Sequence, residues 1–108
     1  MRMYGLRTCD TCRKAERALR AAGHDPEVVD VRTDGVPGAE LRRFLDRFGE
    51  AMINRRSTTW RGLSEAERAG GPLKLLARHP TVMKRPVIEA DGQLYLGWGK
   101  EVQNSLLG

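Results

Sequence analysis

Residues 4–23 read YGLRTCDTCRKAERALRAAG, and the period of the apolar residues changes within them. Met1, Met3 and Tyr4 supply apolar bulk for a short strand over residues 1–6, with Gly5 ending it. From Thr11 onward Cys12, Ala15, Leu19 and Ala22 recur at helical spacing on one face. Arg13, Lys14, Glu16, Arg17 and Arg20 cover the other, and Gly23 is placed to cap the C-terminus. The strand-to-helix junction carries Cys9 and Cys12, the chain's two cysteines. Their spacing opens three readings: a redox pair, half of a metal site, or one reactive thiol beside a packed neighbour.

Outward from that stretch, Pro26 opens a second strand over Glu27 to Val31. The Asp34-Gly35 and Pro37-Gly38 pairs mark the turn that follows. Leu41, Phe44, Leu45 and Phe48 form an i, i+3, i+4, i+7 helical stripe ended by Gly49. Asn54 to Gly62 has no sustained period and reads as a loop. Ser64-Glu65-Ala66-Glu67 fits a capping box, and Leu73, Leu76 and Ala77 line another helix ending near His79-Pro80. Val87–Ala90, Asp91-Gly92 and Gln93–Leu96 spell a β-hairpin, after which Trp98, Val102 and Leu106 line a closing helix. The order is β-α-β, a helical middle, then β-β-α.

At 108 residues the chain is expected to be one domain with a modest core. No apolar run reaches the length of a membrane span, and residues 3–6 lack the apolar core of a signal peptide, so the expected compartment is the cytoplasm, with no membrane partner. In that reducing setting a close cysteine pair is more plausibly catalytic, redox-sensing or metal-binding than a structural bridge. The net charge is +5, from 19 Lys and Arg against 14 Asp and Glu. The charges are interspersed and no basic run exceeds two residues, which argues against direct nucleic-acid binding.

A thiol attacks as the thiolate, so a catalytic cysteine needs a site that favours the anion. Cys9 has one, at the positive end of the first helix with Arg7 and Arg13 near in sequence and Asp10 opposing them. Cys12 lies one turn on, in the stripe of Ala15 and Leu19. It is either a resolving thiol within reach of Cys9 or a small buried apolar residue, and the spacing accommodates both. Zinc would require His24 and His79 as further ligands, and these lack the paired spacing of zinc modules, so no metal is expected.

The segments YGLRTCDTCRKAERALRAAG, NRRSTTWRGL (54–63) and KRPVIEADGQLYLGW (84–98), in this order, resemble the arsenate reductase (ArsC)/Spx family. The resemblance runs from about Met3 to Trp98. It implies an α/β, thioredoxin-like fold with a helical insertion between the β-α-β and β-β-α parts, and a thiol reductase activity. By position, Cys9 matches the family's catalytic cysteine, Arg56 and Arg85 its oxyanion-binding arginines, and Pro86 the cis-proline of the fold, turning Arg85 toward Cys9. Arg13, beside the thiol in sequence, is a further candidate for substrate binding. Glutathione or another thiol would be co-substrate, with glutaredoxin or thioredoxin as partners and no bound cofactor.

Arsenate reductases proper carry a third arginine after the second hairpin strand, where this chain reads Leu96-Gly97-Trp98-Gly99, and they have Cys-Gly-Thr-Ser where this chain has Asp10 and Cys12. Arsenate is therefore not the expected substrate. The Cys-x-x-Cys spacing resembles Spx, a redox-responsive regulator that binds RNA polymerase. The DVRTDG turn (30–35) and the 54–63 loop instead resemble the family's uncharacterised reductase-like branch.

Overall fold

Met3 and Tyr4 are both buried although neighbouring strand residues face opposite sides, so the first strand must be covered on both faces. A computed structural model describes residues 1–108 and shows why. Strand β1 (Arg2–Gly5) is interior to a four-stranded sheet, parallel to β2 (Glu27–Asp30) on one side and antiparallel to β3 (Val87–Ala90) on the other. β3 pairs in turn with β4 (Gln93–Leu96), giving the order β2-β1-β3-β4. The chain divides into two compact units: Met1–Asp34 with Arg85–Gly108, which holds the sheet, and Gly35–Lys84.

In the sheet unit, α1 (Asp10–Ala21) is the crossover between the parallel strands. Its buried residues, Cys12, Ala15 and Leu19, are those of the helical stripe. Gly23 adopts φ 92°, and the amides of Gly23 and His24 turn back onto the Arg20 and Leu19 carbonyls, closing the helix as its glycine suggests. At the hairpin both Asp91 (φ 51°) and Gly92 (φ 78°) are left-handed, the two-residue turn that matches strand twist. Helix α6 (Lys100–Leu107) adds Leu106 to a core of Met3, Cys12, Ala15, Leu19, Ile88 and Ala90. The Leu106 carbonyl, one of the orphan acceptors of a helix end, accepts from His24 Nε2 at 2.9 Å.

The second unit is the helical insertion. Leu41 and Phe44 are buried on α2 (Gly38–Phe48), which packs with α5 (Pro72–Arg78), where Leu75 and Leu76 are buried. The expected capping box is formed on α4 (Glu65–Arg68): Ser64 accepts from the Glu67 amide, and the Glu67 carboxylate accepts from the Ser64 amide. The 54–62 loop departs from expectation, because Thr58–Arg61 forms a single-turn helix, α3, whose Trp60 amide donates to the Ser57 hydroxyl. One turn is too short to show a period, and the local cap decides it. The guanidiniums of Arg55 and Arg68 each approach the Trp60 ring, at 5.5 and 4.9 Å from its centroid. No helix is long and apolar enough to cross a membrane.

Candidate active site

The β1–α1 junction presents Cys9 at the N-cap of α1. Its backbone is extended (φ −85°, ψ 120°), its carbonyl accepts the Arg13 amide at 3.0 Å, and its own amide donates to the Leu6 carbonyl at 3.1 Å. The Cys9 thiol therefore stands at the end of the helix where backbone amides lack intrahelical partners. Half-burial pushes its pKa up. The backbone amide and thiol of Cys12 and the guanidinium of Arg85 more than offset this, so Cys9 ionises below the ordinary thiol value.

Cys12 is the opposite case. It is 2% exposed, and burial, reinforced by the neighbouring Cys9, pushes its thiol up to about 11 against the opposing effects of the Leu6 backbone and Arg85. Its sulfur lies against Gly5, where a Cβ would come within 2.7 Å of Cys12 Sγ. Gly5 does end β1, as its sequence position suggests, yet its physical role is to admit the second cysteine beneath the first. A lone glycine at a strand end conveys only the turn, so this contact is not visible in the sequence.

The Arg85–Pro86 peptide is cis, as the family pattern implies, and Pro86 is buried. The hairpin that follows holds this segment through the Gly97 amide, which donates to the Pro86 carbonyl at 2.8 Å. Gly97 is itself buried with φ 81°, a backbone that disfavours an arginine at that position. Arg13 is exposed, and its guanidinium lies 3.9 Å from Asp10. The sheet unit thus brings together Cys9, Cys12 and Arg85. Arg56 is an exposed residue of the insertion, its backbone amide donating to Asn54 Oδ1 at 3.1 Å. His79 contacts Glu67 at 2.8 Å, and no three His, Cys, Asp or Glu side chains are grouped as metal ligands.

A parallel β-α-β, an antiparallel hairpin, a thiol at the crossover helix's N-terminus and an arginine before a cis-proline define a thioredoxin-like protein with a helical insertion. Within that class the chain belongs to the ArsC family, whose model matches residues 4–105. It is 35% identical over 104 residues to an uncharacterized protein of Haemophilus influenzae, covering 92% of this chain and 91% of that one. Among solved structures it is similar to the YFFB (PA3664) protein, with TM-score 0.90, 29% identity, and coverage of 99% and 98%. It is also similar to an arsenate reductase (ArsC) related protein from Brucella melitensis, with TM-score 0.73, 34% identity, and coverage of 96% and 90%.

Proposed function

We propose that the protein is a thiol-dependent reductase with Cys9 as nucleophile. The observation that carries this is the placement of the Cys9 thiol at the N-cap of α1 within hydrogen-bonding reach of the Arg85 guanidinium. Membership of the ArsC family supports an oxidoreductase of this kind. Arg85 serves both states of the reaction, favouring the thiolate before attack and binding an anionic group of the substrate, such as an oxyanion or a glutathione carboxylate. The family pattern assigns the same anion-binding task to Arg56, with Arg13 as a further cation and Pro86 lining the substrate side.

With a disulfide substrate, the Cys9 thiolate attacks one sulfur, forms a mixed disulfide and expels the other as a thiolate. Two external thiols, from glutathione or a dithiol partner of the glutaredoxin or thioredoxin kind, complete the reduction. The first attacks the Cys9 sulfur and releases the substrate's second half as a thiolate, and the second attacks the new adduct, leaves with the first as the oxidised disulfide and restores Cys9. An external thiol fits this second step better than Cys12. Cys12 is buried, and burial favours its neutral thiol over the thiolate that would have to attack.

The test is turnover of disulfide and oxyanion substrates against a panel of reductants, by wild type and by Cys9→Ser. Reduction by wild type that is lost in Cys9→Ser supports the assignment, and equal turnover by both removes it. Arsenate reduction is expected to be weak, and robust turnover at low arsenate would refute the importance given to Gly97. The Cys-x-x-Cys spacing favours a second reading, a redox-responsive regulator of RNA polymerase. Polymerase binding that depends on oxidation, without turnover in the panel, would select it.

A further inference from the structure

Among the buried side chains Asp30 is the charged one, 6% exposed at the end of β2, and the reaction above makes no use of it. It opens the DVRTDG turn. Its Oδ1 accepts the amides of Arg32 and Thr33, at 2.9 and 3.0 Å, within its own turn. Its Oδ2 leaves that turn and accepts the amide of Arg7 at 3.1 Å, in the loop that leads to Cys9. Asp34 holds the turn independently. Its Oδ2 accepts the Asp30 amide at 2.9 Å, and its own amide donates to the Asp30 carbonyl at 2.8 Å.

A carboxylate needed only to close a turn uses one oxygen and can stay in solvent, as many Asx turns do. Burying a charge is costly, and here three backbone donors offset that cost, one of them supplied by the β1–α1 loop. The Val31 amide donates to the Gly5 carbonyl at 2.9 Å, and the Cys9 amide to the Leu6 carbonyl at 3.1 Å. The segment from Gly5 to Cys9 is therefore tied to the end of β2 at Gly5 and Arg7 and folded onto itself at Leu6.

We propose that Asp30 is a positioning residue for Cys9: by fixing the Arg7 amide it sets where the Cys9 sulfur stands relative to the α1 amides, Cys12 and Arg85. The proposal rests on Cys9 being the nucleophile, and it extends that reading from the residues that touch the sulfur to the one that places them in register. The groups that act on Cys9 are Cys12, one turn along the same helix, and Arg85, from the segment before β3. Each favours the thiolate only at short range, so a loosened loop loses their effect.

Asp30→Asn tests this in the intact protein. The asparagine oxygen can keep the Arg32 and Thr33 amides, which turns its NH₂ group toward the Arg7 amide, donor against donor. Rate-versus-pH alkylation of Cys9, with peptide mapping, should show its pKa raised by about one unit and its rate at pH values below the wild-type pKa reduced about tenfold, in a variant with wild-type circular dichroism. Asp34→Asn keeps an acceptor for the Asp30 amide and should leave the Cys9 profile unchanged.

The sign of the shift separates positioning from charge. An acid acting through space disfavours the thiolate, so neutralising it would lower the Cys9 pKa. A lowered or unchanged pKa in folded Asp30→Asn overturns the proposal. Should that variant fail to fold, amide exchange in the wild type decides: the Arg7 amide must exchange as slowly as the Val31 amide, and exchange at the rate of an exposed loop amide overturns the clamp. Alkylation uses no substrate, so this outcome is independent of whether Cys9→Ser abolishes turnover.

Discussion

The sheet unit carries nine Lys and Arg against nine Asp and Glu, whereas the helical insertion carries ten against five. The whole net charge of +5 therefore belongs to Gly35–Lys84. Their polar groups are also spent differently. In the sheet unit a buried acid is held by backbone amides, and a half-buried thiol and an arginine act on one another at short range. In the insertion the cations are mostly at the surface, and Arg55 and Arg68 both contact Trp60. A group's effect on a thiol is set by its distance and by how little water intervenes, so the electrically neutral unit can be the reactive one.

The largest effect that would sharpen this contrast is that of Arg85→Ala. It removes the guanidinium that acts on Cys9, so the thiol pKa should rise and turnover at neutral pH should fall roughly ten- to a hundredfold, about 1.4–2.7 kcal/mol. Arg56→Ala should raise KM for an anionic substrate and leave the Cys9 alkylation profile alone. Arg55→Ala should do less than Arg85→Ala, since the Arg55 side chain is engaged by Trp60 and by Glu50 at 3.9 Å. A shifted Cys9 pKa in Arg56→Ala would break the division of labour.

Next is Gly5→Ala, which tests how closely the sheet unit is packed beneath its thiols. A methyl group there meets Cys12 Sγ at 2.7 Å, and the expected destabilisation is about 1–3 kcal/mol by denaturant titration. The double variant Gly5→Ala with Cys12→Ala should recover part of that loss. Without such recovery, the close approach does not govern the position.

These positions also show where sequence reasoning stops. The hairpin was legible because Asp91-Gly92 supplies two left-handed residues in consecutive positions. The α2 stripe and the Ser64 box were legible because they too are local patterns. Cys9 at a helix start was legible in the change of apolar period, and the cis-proline after Arg85 followed from the family pattern. Gly5 and Asp30 owe their roles to residues 7 and 23 positions away, brought near by the β-α-β crossover. DVRTDG announces a turn, and nothing in those six letters says that one carboxylate oxygen serves another loop. The Asn54–Gly62 segment failed differently: its single turn of helix is set by one Ser57 cap.

Acid should expose the contrast through Asp30. Burial raises its pKa, but the Thr33, Arg7 and Arg32 amides with the Thr33 side chain lower it more, to about 2 from 3.8. The folded pKa is depressed, so the stability it contributes is fully present above the unfolded value near 4 and is lost as the pH falls from there through about 2. In Asp30→Asn the fall in stability between pH 4 and 2 should be shallower than in wild type. Identical slopes would mean that other carboxylates carry the acid sensitivity.

The smallest expected effect concerns the insertion's surplus charge. At 0.1 M salt the screening length is about 10 Å, so exposed cations attract a distant anion in dilute salt and hardly at all in concentrated salt. KM for an anionic disulfide should rise a few-fold between roughly 0.02 and 0.3 M salt, while a neutral disulfide shows little change. Lys74→Glu with Arg78→Glu, both exposed on α5, removes four charge units from the insertion and should flatten that dependence without moving the Cys9 alkylation profile. If the salt dependence survives the pair, the insertion's charge does not steer substrate, and the anion is held by short-range contacts such as that of Arg85 alone. If the Cys9 profile moves instead, Cys12 and Arg85 are not the only groups that set the ionisation of the thiol.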